Sequence, residues 1–289
     1  MITRKSRSAL LALTAWSVAT VSAAAEPASK GKVLVVMSGA HLLDLKDNKV
    51  YATGYYLNEL ATPLRALVEA GYTPDFASPD GDAPTMDASS NSVKFFGGDD
   101  AKRMETLRFI NGFAGLRHPL KLSAIAGHTD GFAGVFVPGG HAPMVDLAKD
   151  KDLGQILISF HDSKRPTALI CHGPMALLST LPQSERFNQA LVAGKTDEFG
   201  ALAHGWPYAG YKVAVFSKGE EQQIEASQLD GHTPYYNDEA LASAGAKIQN
   251  AQAWSPNVVE DRELVTGQQP FSDKLFADAF VAKLDKAAR

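Results

Sequence analysis

"TALICHGPMALL", Thr167 to Leu178, decides how this chain is to be read, because it holds the only cysteine of 289 residues at the point where an apolar run breaks. Thr167 to Cys171 is short and apolar, the pattern of a buried strand. Gly173 and Pro174 then predict a sharp turn into a helix, since glycine tolerates backbone angles closed to other residues and proline fits the first helical turn. Such a strand-to-helix elbow is expected to lift the Cys171 side chain above the sheet and toward solvent. It also puts the sulfur at a helix N-terminus, where partial positive charge favours thiolate over thiol. Cys171 is therefore expected to be an exposed, activated nucleophile with a lowered pKa. One cysteine makes no internal disulfide, so nothing staples the fold.

Outward from this stretch, short apolar runs alternate with helix-like segments, the signature of a parallel sheet covered on both faces. Lys32 to Ser38, Gly134 to Gly140 and Tyr211 to Ser217 are expected to be further buried strands. Tyr72 to Ser78 is a weaker one, because Pro74 suits a strand start or an edge. Leu57, Leu60, Ala61, Leu64, Leu67 and Val68 recur at helical spacing before Gly71, and Asp152 to Lys164 and the segment from Phe271 share that period. Crossovers between parallel strands need such helices. Residues 82–131 hold no long apolar run and are expected to form a cap-like insertion over one end of the sheet. With no repeat and no linker, residues 30–289 are expected to form a single domain.

A second motif, "FVPGGHAPMVDL" (Phe136 to Leu147), also follows a strand. Its paired glycines let backbone amides approach a ligand and stabilise an oxyanion, and ligands of open α/β sheets bind at this carboxyl edge. Together, "VFVPGGHAPMVDL" and "ALICHGPMALL" closely resemble the ThiJ/PfpI superfamily, and within it the branch of glutathione-independent glyoxalases and heat-shock chaperones. "TGYYLNELATPLRALVEAGYTPDFASPDG" from Thr53, "YKVAVFSKGEEQ" from Tyr211 and "VVEDRELVTGQQPFS" from Val258 agree with it. The resemblance covers nearly all of the chain after its first 25 residues.

The resemblance implies a flavodoxin-like, doubly wound α/β fold with a mostly parallel sheet and Cys171 at its nucleophile elbow. It places an acid near the thiol at Glu59, which periodicity alone would leave on the solvated face of its helix. A protonated Glu59, with a raised pKa, would stabilise the sulfur anion. It gives His172 as the triad histidine and Glu221, by its spacing from Phe216, as the carboxylate that orients it, with the adjacent Glu220 as the alternative. Gly140 and His141 are expected at the oxyanion and substrate positions. The implied activity is that of a cofactor-independent, cysteine-dependent lyase of the glyoxalase III (D-lactate dehydratase) type, turning methylglyoxal or a related 2-oxoaldehyde into the 2-hydroxy acid. Unfolded client proteins of a holdase and a homodimeric assembly are the other partners it implies.

Competing readings fare worse. A glutamine amidotransferase or an α/β-hydrolase elbow wants glycine where Leu169 stands, and no His-x-Glu pair follows. His41, His118, His128, His161, His204 and His232 lack metal-ligand spacing, and no metal or cofactor is expected. Arg4, Lys5 and Arg7, the apolar run Ala9 to Val21 and the small residues Ser22 to Ala25 have the order of an export signal, too short for a comfortable membrane span. A periplasmic or secreted location follows as an expectation. Without those three basic residues, 28 positive against 32 negative becomes 25 against 32, which disfavours nucleic acid and anionic membranes as partners.

Overall fold

The structure, a computed structural model, describes residues 29–289; the export signal expected over residues 1–25 lies outside them. A seven-stranded sheet runs in the order Val258–Asp261, Leu264–Gly267, Thr167–Ile170, Phe132–Val137, Gly31–Val36, Tyr72–Ser78, Leu120–Lys121. All neighbours are parallel except the first two, which form an antiparallel hairpin at one edge.

Successive side chains of a strand face opposite ways, and here both faces are covered. Val33, Val35, Phe136, Ala168, Ile170 and Val265 face a core closed by the helices Leu57–Glu69 and Asp273–Ala287. Leu34, Val36, Val135, Val137, Leu169 and Leu264 face the other, closed by Lys151–Asp162 and Ser184–Ala193. This two-sided burial is why the strands read as unbroken apolar runs. Leu57, Leu60, Leu64 and Leu67 lie on one stripe of their helix and are fully buried; each contributes about 1.5–3 kcal/mol of transfer free energy. Among the described residues no helix is long and apolar enough to cross a membrane.

Tyr72–Ser78 is a full strand, and its outer neighbour pairs only with Ala77 and Ser78, so Pro74 sits where that edge is open. The strand expected over Tyr211 to Ser217 is corrected. Only Lys212–Val213 pairs, with Lys247–Ile248, in a separate two-stranded sheet. The residues after it are buried as a strand's would be, but their amides go elsewhere. Ala214 N donates to Thr266 Oγ1 (2.9 Å), Val215 N to Asn250 Oδ1 (3.0 Å) and Phe216 N to the Cys171 carbonyl (3.0 Å). Its apolarity reported burial, not ladder pairing. The place beside the cysteine strand is taken by Leu264–Gly267, whose register puts Gly267 opposite Ile170.

The helix expected after Gly173 also differs, since Gly173–Thr180 is a fully buried 3-10 helix. Ser179 Oγ and Thr180 Oγ1 donate to the carbonyls of Ala176 and Leu177, and Gly154 of the neighbouring helix abuts the Ser179 carbonyl, so this turn packs closely against that helix. Segment 82–131 carries the helix Asp100–Asn111, capped by the Asp99 side chain, and Phe113, packed on Phe76.

Candidate active site

The site assembles where four segments meet at the carboxyl ends of the central strands. The cysteine strand stops at Ile170, and Cys171 takes a left-handed conformation with φ 62°. That costs a non-glycine residue roughly 1–2 kcal/mol. Both its backbone groups are held: Cys171 N donates to the Gly267 carbonyl (2.8 Å) and its carbonyl accepts from Phe216 N (3.0 Å). Gly173 is pressed against the Val137 carbonyl, where a Cβ would come within 2.6 Å, so the chain must turn sharply after the cysteine.

The double glycine closes against this elbow. A Cβ on Gly139 would stand 2.8 Å from the Ile170 carbonyl and would overlap Glu59, and Gly140, at φ 95°, abuts the Gly54 carbonyl. Only glycine permits this convergence. The Gly140 amide lies near enough to the sulfur to favour its anion. Tyr56 N donates to the Gly139 carbonyl (3.1 Å), which aims the start of the helix Leu57–Glu69 at the elbow. Glu59, in the first turn, is thereby fully buried beside Cys171 instead of solvated on the helix surface. The tertiary approach of the glycine loop overrides the helical periodicity.

Burial pushes the Glu59 carboxyl well up from its ordinary range; the Cys171 thiol pulls the other way as a hydrogen-bonding neighbour without offsetting it. Neither Glu59 oxygen has a partner at full hydrogen-bond geometry. This upward direction is the one the family resemblance implied for Glu59. Cys171 departs from expectation. Its residue is 3% exposed, and burial, then the Glu59 carboxyl, push the thiol up, while the Gly140 amide opposes them. The elbow is roofed, and a buried sulfur loses the hydration that would favour its anion. An anion must be made there by a neighbouring base.

His172 stands where such a base is needed. Its Nδ1 lies 3.1 Å from Cys171 Sγ and its Nε2 2.8 Å from Glu221 Oε2, with the ring stacked on Phe216 at 4.7 Å. The other oxygen of Glu221 lies 2.7 Å from His141 Nε2. Burial works to raise Glu221, but His141 and His172 outweigh it and hold the carboxyl down at about 2. The choice between Glu220 and Glu221 resolves physically. Glu220 closes a capping box with Ser217 at the start of the helix Lys218–Ile224, and it accepts from Trp254 N (2.8 Å) and Gln268 Nε2 (3.1 Å). The Ser-x-x-Glu pattern at Ser217 is a sequence signal that assigns Glu220 to the cap and leaves Glu221 free.

The donor atoms of His141, His172 and Glu221 lie within 4.8 Å of one another, a set whose types would suit a divalent cation. Each ring nitrogen facing Glu221 is, however, already committed to a carboxylate oxygen. The trio is a hydrogen-bonded relay.

The family model for ThiJ/PfpI family-like proteins matches residues 50–248, more than half of the chain. The chain belongs to the ThiJ/PfpI family. The protein/nucleic acid deglycase HchA of Staphylococcus aureus (strain JH9) is 28% identical over 249 residues, 84% of this chain and 76% of that protein. Among solved structures, glyoxalase III from Candida albicans matches with a TM-score of 0.66 at 20% identity, over 89% of this chain and 98% of that one. The Francisella tularensis rapid encystment protein of 24 kDa matches at 0.65 and 21%, over 88% and 99%. These two share the ThiJ/PfpI fold seen here.

In this ThiJ/PfpI chain the sulfur opens onto a cavity of about 30 Å³ walled by Tyr56, Phe95, Phe216, Trp254 and Pro270, with Lys94 at its rim. Lys94 and Phe95, neighbours in the short helix Val93–Phe96, and Trp254 reach the site from segments far from the cysteine in sequence and carry no signal there. A much larger cavity, about 810 Å³, lies elsewhere and is lined by His161, Lys164, Arg262 and Lys286. It holds no cysteine, and Lys164 and Lys286 stand at the C-terminal ends of two helices, where cations offset the helix dipole. His161 and His232 are engaged by Glu263 and Glu225, away from the cysteine.

Proposed function

We propose that this protein is a cofactor-independent lyase of the glyoxalase III type, acting on a small 2-oxoaldehyde such as methylglyoxal. The observation that carries the reading is the chain from Cys171 Sγ through His172 to Glu221, set beside the buried Glu59, which acts in this reading as a protonated acid. His172 takes the thiol proton at Nδ1 as the sulfur attacks the aldehyde carbon, forming the S–C bond of a hemithioacetal. The Gly140 amide and the Glu59 hydroxyl stabilise the oxygen that gains the electron pair, and it then takes the proton from His172. Neutral again, His172 removes the proton on C1 and an enediolate forms; the C1 hydroxyl proton passes to the C2 oxygen and His172 returns its proton to C2, leaving a lactoyl thioester. One water cleaves it to lactate and the free thiol.

The names of the S. aureus and C. albicans proteins support this class of chemistry. They also raise a second reading, removal of sugar-derived adducts from proteins or nucleic acids. The small cavity and the buried sulfur favour free dicarbonyls over adducts on a folded macromolecule. The basic, apolar, small-residue order of residues 4–25 supports export, which would set this chemistry outside the cytoplasm.

The test is methylglyoxal loss and lactate appearance with purified protein, against a panel of 2-oxoaldehydes and a methylglyoxal-treated peptide. Loss of turnover in Cys171→Ala is expected. Equal rates in wild type and variant, or turnover of the treated peptide alone, would overturn the proposal.

A further inference from the structure

We propose that His141 is a positioning residue that carries the positive charge of the His141–Glu221–His172 relay, so that His172 stays neutral and free to accept the Cys171 proton. The proposal deepens the lyase reading and rests on it for its consequence in catalysis.

The geometry constrains where protons lie. Glu221 is 1% exposed and its two oxygens face two imidazole nitrogens, at 2.7 Å from His141 Nε2 and 2.8 Å from His172 Nε2. An ionised carboxylate only accepts, so both Nε2 atoms carry hydrogen. For His172 this leaves Nδ1, 3.1 Å from the sulfur, as the one nitrogen able to bear a lone pair. With Nδ1 protonated as well, it would point a donor at the thiol and could not act as a base.

One buried carboxylate balances one buried cation, and the two rings are 4.1 Å apart between centroids. Two imidazolium ions there would repel each other with no second anion in hydrogen-bond contact. The choice between the rings is set by their surroundings. His141 faces Glu221, the Tyr51 ring in a T-shaped contact and His172, with Asp87 and Glu225 as further acids within electrostatic reach. Tyr51 donates to Asp87 (3.0 Å) and is pushed up to about 12, so it adds no charge of its own. His172 is stacked on Phe216 and, besides Glu221, has Asp87 at a distance. Burial works to lower His141, but Glu221, with Asp87 and Glu225, outweighs it and the net direction is up. Burial, then the charge on His141, bring His172 down to about 4.

If His141 is replaced by a neutral hydrogen-bond donor, the Glu221 charge has only His172 to balance it. His172 then takes up a proton nearer its ordinary range of about 6.5, and the fraction of neutral base at pH 5.5 falls about tenfold. At pH 8 it recovers. A purely structural loss would lower the rate at both pH values alike.

The experiment is imidazole nitrogen NMR across pH 3.5–9 on the wild type and His141→Gln, with the alkylation rate of Cys171 by iodoacetamide followed over the same range. The wild type is expected to show His141 doubly protonated at pH 7 and His172 as the neutral Nε2–H tautomer. In the variant the His172 midpoint is expected to rise from about 4 toward 6.5, about 2.5 pH units, and the acid limb of alkylation to move with it. A neutral His141 with a charged His172 in the wild type overturns the proposal even if the variant does not fold. So does a variant whose His172 midpoint is unmoved. Neither readout needs turnover: inactivity toward every 2-oxoaldehyde with the expected titrations would overturn the lyase reading and leave the charge assignment standing.

Discussion

Replacement of Glu221 by glutamine isolates the charge of the relay, since the amide keeps the shape and can still bond both histidines if one changes tautomer. Glu221 is held at about 2 in the fold against an ordinary 4.5. That is about 2.5 decades of proton affinity, and at about 1.36 kcal/mol per decade the folded state holds the carboxylate by about 3 kcal/mol. The group is almost fully buried, so solvent screening does not discount this. The figure also falls in the range of about 3–5 kcal/mol for removing one partner of a buried charge pair. Because the folded pKa is depressed, the contribution is present above pH 4.5 and is lost as the pH falls toward 2. Glu221→Gln is therefore expected to be about 3 kcal/mol less stable than wild type at pH 7, with the gap closing at pH 2–3. Urea denaturation curves at several pH values measure it. A gap below about 1 kcal/mol at pH 7, or one that does not change with pH, would refute the argument that the fold stabilises this carboxylate through the two histidines.

Further outcomes follow from the same geometry. Glu59 has a raised folded pKa, so its penalty on the fold is absent below pH 4.5 and grows as the pH rises through the folded pKa. Glu59→Gln is expected to melt no lower than wild type at pH 7, with any gain vanishing at pH 4, while turnover falls because an amide supplies no proton. Gly139→Ala puts a Cβ among Glu59, Cys171 and Ile170 and is expected to cost about 1–3 kcal/mol, read as a lower melting temperature and lost turnover. Trp254→Ala removes part of the roof over the sulfur and is expected to speed alkylation of Cys171 without displacing the His172 acid limb.

The α/β class was legible because a strand buried on both faces must be apolar at every position, and Val33–Met37 and Ala168–Cys171 are. The same rule misread Tyr211–Ser217, which is equally buried but gives its amides to Thr266, Asn250 and Cys171. The short, charged hairpin of Val258–Asp261 and Leu264–Gly267 left no run to find.

By itself the sequence determined the elbow and the glycines that flank it, because backbone angles and Cβ clashes are properties of residue type. It also marked Cys171, His172 and Glu221 through their resemblance to a family. Only the tertiary structure decided the charge states, since a pKa depends on what packs around a group. The roof over Cys171 turned an expected low-pKa thiol into a buried one that needs a base. The approach of the Gly139 loop buried Glu59, and Glu221 was made to serve two histidines at once, because proton affinity is set by neighbours in space and not in sequence.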